Sequence, residues 1–80
     1  KLIGFVMNDR YIPRKGYSIQ KDGKSIGIVT SGTQSITLGY GIGMAYVETS
    51  FANIGTEISI QIRDSLSPAK IVKTPFIEKN

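Results

Sequence analysis

The residues best equipped for chemistry in this chain are cationic and aromatic, and they cluster early. Arg10, Tyr11, Arg14, Lys15 and Tyr17 all fall between positions 10 and 17. A guanidinium beside aromatic rings can hold a phosphate or carboxylate, or stack on a base. The plainer alternative is a solvated face on which an Arg pairs with Asp9 or lies against a Tyr, an interaction of little worth at a surface. A second candidate is Thr30-Ser31-Gly32-Thr33, whose successive backbone N–H groups could cradle an anion. A turn whose hydroxyls satisfy its own backbone accounts for the same residues and is preferred. Gly39-Tyr40-Gly41-Ile42-Gly43 has the glycine spacing of a dinucleotide loop. No helix pattern follows to receive a pyrophosphate at its N-terminus, so strand-packing glycines are the preferred reading. Arg14, Thr30, Ser31, Gly32 and Thr33 are the candidates expected to face a cavity or interface, and no residue is assigned a catalytic role.

The composition narrows the chemistry further. The 80 residues contain no His and no Cys, which removes the commonest general base, the thiol nucleophile, the ordinary zinc site and any disulfide. Six carboxylates remain, most of them in expected turns or on wet strand faces, and no basic partner is arranged to activate a Ser or Thr. Catalysis by these residues alone is not expected, nor is a bound metal. No apolar run approaches the roughly 20 residues that span a bilayer, so no membrane role is expected. Net charge is +4, and residues 1–24 carry six basic against two acidic side chains while the remainder balances. A basic first third could attract anions, although nucleic-acid domains show denser cationic clusters.

The elements that must position these residues are short strands. Leu2–Met7 is an apolar run of strand length. Pro13 forces Ile12 into extended backbone, and Tyr17–Lys21 forms the next strand. Asp22-Gly23 then joins it to Lys24–Thr30 by the strongest short hairpin signal, because Gly accepts the positive φ of a type I′ turn. In that second arm Ile26 and Ile28 are expected on one face, Gly27 and Val29 on the other. Ser31–Gly41 reads as a connection with one extended piece at Ser35–Leu38. It carries no charge, which suggests packing against something rather than free solvation. Ile42–Glu48 comes next, with Ile42, Met44 and Tyr46 on one side and the small Gly43 and Ala45 with Val47 on the other. Ser50–Asn53 suits one helical turn. In Thr56–Ile62 the isoleucines alternate strictly with polar residues, the pattern of one buried and one wet face. Arg63–Pro68 is expected to turn, Ala69–Thr74 to return as a strand that Pro75 ends, and Phe76-Ile77 to plug the apolar end. Six short strands in one domain over 1–80 predict an all-β fold, a small antiparallel barrel of Greek-key or jelly-roll type with no long helix.

Three stretches together resemble a known family. KLIGFVMNDR-YIPRKGY, DGKSIGIVTSGTQSITLGYGIGMAYV and GTEISIQIR with AKIVKTPF are similar, in order, to the C-terminal barrel of the glycine cleavage T-protein, an aminomethyltransferase. Ile36 stands where that family usually has Pro, and Asp64-Ser65-Leu66-Ser67 where it has a basic Gly-Lys-Arg tip. The resemblance implies a chain that is the C-terminal piece of a longer polypeptide beginning upstream of Lys1. The parent enzyme would take the aminomethyl group from the lipoylated H-protein, release ammonia and form 5,10-methylenetetrahydrofolate. It further implies tetrahydrofolate as cofactor, the H-protein and the N-terminal domains as partners, and a cytoplasmic location, mitochondrial in a eukaryote. The family's catalytic aspartate belongs to the N-terminal region, and its folate-side aromatic residue would follow Asn80. Two alternatives stay open: an oligonucleotide-binding barrel, disfavoured because no aromatic pair alternates along one strand, and the same barrel from a folate-linked dimethylglycine or sarcosine dehydrogenase.

Overall fold

The computed structural model describes residues 1–9, 11–34 and 39–73, and in it six strands close into an antiparallel barrel. In chain order they are β1 (Leu2–Met7), β2 (Ser18–Lys21), β3 (Lys24–Gln34), β4 (Gly41–Val47), β5 (Glu57–Ile62) and β6 (Ser65–Val72). A single 3₁₀ turn, Thr49–Phe51, lies between β4 and β5, one residue before the expected helical turn. Around the barrel the order is β1-β4-β3-β2-β5-β6, and β6 pairs back onto β1. Strands β2, β3 and β4 are successive neighbours while β1 lies beside β4, which is Greek-key connectivity. The expected all-β barrel is therefore the observed fold.

Alternation explains most of the packing. Ile3, Phe5 and Met7 of β1 point inward, as do Ile58 and Ile60 of β5, and they meet Ile19, Val29 and Ile71 at the centre. The β2–β3 turn has Asp22 at φ 53° and Gly23 at φ 80°, the two left-handed residues a type I′ hairpin needs. On β4 the inward positions are Gly41, Gly43, Ala45 and Val47. A Cβ on Gly43 would lie 2.7 Å from Phe5 Cζ and 2.6 Å from the Ser31 carbonyl oxygen, so the Phe5 ring occupies the volume that a side chain there would need.

Three expectations are corrected. First, β3 does not stop at Thr30 but continues to Gln34, with Ser31–Gln34 paired to β4. The register shifts between Val29 and Ser31, and the extra residue, Thr30, donates its Oγ1 hydroxyl to the Met44 carbonyl at 3.2 Å. This bulge lets the strand bend and carry on. Second, a register shift opposite Ile19 and Gln20 breaks the alternation of β3, so Ile26 and Val29 are buried and Ile28 is exposed. Third, the β5–β6 turn is only Arg63-Asp64, since Ile62 already pairs with Ser65. Pro68 therefore lies inside β6. Its carbonyl accepts from Asn8 N–H at 2.9 Å, so its missing N–H faces the end of β1, off the β5 ladder, where a strand proline is tolerated. The expectations for Arg10, Ser35–Leu38, Pro75 and Phe76-Ile77 lie outside the described residues.

Candidate functional site

The segment between β1 and β2 builds the site, and Pro13 anchors it. Pro13 is fully buried and its carbonyl packs directly on Gly32. A Cβ on Gly41 would meet Pro13 Cδ at 2.7 Å and the Tyr11 carbonyl oxygen at 2.5 Å. Two glycines, one on β3 and one on β4, thus form the seat of a proline that stoppers this end of the barrel. Backbone bonds then tie the segment to β3: Gly16 N–H donates to the Val29 carbonyl at 2.8 Å and Val29 N–H to the Tyr17 carbonyl at 2.8 Å. At the other end of the segment, buried Ser67 donates its hydroxyl to Asp9 Oδ2 at 3.1 Å. Asp9, offered by the sequence as an Arg partner, accepts this bond from β6.

With both ends pinned, the side chains around Pro13 project into a shallow groove. Tyr11, Ile12, Arg14 and Tyr17 line it from the segment, and Ile62 and Arg63 from the β5–β6 hairpin, enclosing about 440 Å³. Arg63 is the first residue of the hairpin turn, at φ 55°, and its carbonyl accepts from Gln61 Nε2 at 2.6 Å. Two guanidinium groups and two phenols on an open apolar floor suit a planar ligand with an anionic group, or a matching surface of another protein domain. Among the described residues every carboxylate is exposed, and none lines the groove.

Of the expected candidates, Arg14 lines the groove, while Thr30, Ser31, Gly32 and Thr33 do not. Thr30 is the bulge residue, Gly32 seats Pro13, and Ser31 and Thr33 are exposed strand positions opposite Met44 and Ile42. Their N–H groups belong to a strand, neither the turn nor the anion cradle considered from sequence. Arg63 was missed. Its type was visible, but its approach to Tyr11 and Tyr17 depends on the pairing of β2 with β5, far apart in the chain, which no local pattern encodes. The two groove tyrosines belong to a crossing segment, unlike the aromatic pair along one strand that an oligonucleotide platform uses. Gly41 and Gly43 are packing glycines within a strand, as preferred from sequence.

A family model described as the glycine cleavage T-protein C-terminal barrel domain matches residues 1–78. The chain belongs to this family. Aminomethyltransferase of Bacillus velezensis is 49% identical over 79 residues, covering 99% of this chain and 22% of that protein. Aminomethyltransferase of Bacteroides thetaiotaomicron is 52% identical over 77 residues, covering 95% and 21%. The crystal structure of glycine cleavage system aminomethyltransferase T from Bartonella henselae matches with a TM-score of 0.87 and 26% identity, over 95% of this chain and 21% of that one. The chain spans about a fifth of the length of the curated relatives it matches.

Proposed function

We propose that this barrel is the non-catalytic C-terminal part of a tetrahydrofolate-dependent aminomethyltransferase of the glycine cleavage system. The observation that carries the reading is the T-protein barrel match over residues 1–78, joined to relatives named aminomethyltransferase that extend well beyond it. In this role the parent enzyme accepts the aminomethyl group from the lipoyl arm of the H-protein, releases ammonia and yields 5,10-methylenetetrahydrofolate. The barrel helps to enclose the folate cavity formed with the N-terminal domains, and the groove bearing Arg14 is offered to that assembly. The setting is the cytoplasm, or the mitochondrion in a eukaryote.

The test uses the longer polypeptide that contains this barrel, supplied with aminomethyl-loaded H-protein and tetrahydrofolate. Ammonia and methylenetetrahydrofolate should appear together, and the 80 residues alone should give neither. Turnover by the 80 residues alone would overturn the non-catalytic role. Flavin-dependent demethylation of dimethylglycine or sarcosine by the longer polypeptide would replace the aminomethyltransferase reading.

A further inference from the structure

Strand β4 has its residue sizes arranged the wrong way round for a domain that stands alone. Its inward positions are Gly41, Gly43, Ala45 and Val47, and its outward positions are Ile42, Met44 and Tyr46. Burial of apolar area is what stabilises a fold, so an isolated barrel gains little from Ile, Met and Tyr on its outer wall. The neighbouring strands extend the pattern by register. Leu2 pairs with Tyr46, and Tyr46 with Ile28, a row across three strands whose members are 48, 56 and 49% exposed. Val6 pairs with Ile42, and Met44 lies between Gly4 and Ser31. No charged residue occurs in β1, in β4, or in β3 from Ser25 onward. A groove of about 430 Å³ runs from Val6 to Tyr40 and Val72, with Asn8 and Lys70, which pairs with Val6, also lining it. Four strands about 4.8 Å apart, with six residues at about 3.3 Å each, give a face of roughly 20 by 20 Å. A largely apolar face of that size, interrupted by Ser31, Thr33 and Lys70, marks a contact surface.

We propose that the outer face of β3, β4 and β1, together with the Lys70–Val72 end of β6, is where the preceding domains of the same polypeptide dock. The proposal rests on the reading of the chain as the C-terminal part of a longer enzyme. The occupant is argued from proportion: relatives that match across 99% of this chain carry nearly four-fifths of their length elsewhere, and the matching unit is a C-terminal one. A face on which β1, β4 and β3 from Ser25 onward present no charge needs an apolar partner held permanently, as covalent linkage provides. By contrast the groove at Arg14 and Arg63 is cationic and open, suited to a polar neighbour.

Hydroxyl-radical footprinting of the longer polypeptide tests this, with each residue's labelling compared between the native protein and the same protein in denaturant. Met44 and Tyr46 should be protected several-fold in the native protein, while Leu66, exposed on the far hairpin, labels nearly as fast as when unfolded. Equal labelling of Tyr46 and Leu66 in the native protein would overturn the proposal. Protection that disappears on dilution would also overturn it, because the cover would then be a second copy. Tyr46→Lys should restore labelling at Met44, whereas Leu66→Lys should leave it unchanged. Aminomethyl transfer is measured on the same preparation. Protection without transfer supports the docking face and removes the enzymatic reading; transfer without protection removes the docking face alone.

Discussion

The two sides of this barrel solve the same packing problem with opposite materials. On the β2–β5 side, bulky isoleucines fill the interior and the outward positions are Ser18, Gln20, Glu57, Ser59 and Gln61. On the β4 side, the interior holds Gly41, Gly43 and Ala45, and the large apolar residues face out. The first side is a finished surface. The second has small residues inside because Phe5 of the adjacent β1 fills the volume beside them, and its outer face is left for another body to cover. An amphipathic strand thus reports which face is buried within the domain only when its other face is polar.

Substitutions on the two sides should separate these roles, with urea unfolding as the measure for the chain. The largest loss is expected at the centre: Ile60→Ala should cost about 2–5 kcal/mol, because a fully buried isoleucine leaves a cavity. On the opposite wall the corresponding injury is an addition. Gly43→Ala should cost about 1–3 kcal/mol by overpacking, since the new methyl meets the Phe5 ring at 2.7 Å. If Gly43→Ala proves neutral, the interior of β4 is looser than its glycines suggest. Ser67→Ala removes the hydroxyl that holds Asp9 and should cost about 0.5–1.5 kcal/mol. The smallest effects belong to the outer faces: Tyr46→Lys and Gln61→Lys should each stay within about 0.5 kcal/mol in the chain alone. The same pair compared in the longer polypeptide should diverge, with Tyr46→Lys lowering its thermal midpoint and Gln61→Lys leaving it in place.

What was legible in the sequence was local. The isoleucine alternation of β5 and the Asp22-Gly23 turn both follow from backbone geometry within a few residues, and both stand in the structure. The errors fell where a distant contact reassigns a residue whose local meaning is different. Gly32 reads as a loop glycine, yet it lies in a strand because Pro13 needs the room. Pro68 reads as a turn residue, yet it lies in β6 because its ring side faces the end of β1, where no N–H is needed. The two shifts of register in β3 have no signature in composition, so the facing of Ile28 could not be read from its neighbours. Within the candidate site, Arg14 was legible as a cation among aromatics. Arg63 was not, because only the long-range pairing of β2 with β5 brings the β5–β6 hairpin beside that segment.

The position of β1 between β4 and β6 sets a timetable for biogenesis. Within this domain β1 is synthesised first and must wait for two partners made later, and Phe5 finds Ile71 only after the other strands of the barrel have emerged. Such long-range pairing places the domain among slow folders, on the scale of milliseconds to seconds. Throughout that interval an apolar strand with open hydrogen-bonding edges is available to any neighbour. Closure of the final seam is therefore the step that a crowded cell has most reason to protect.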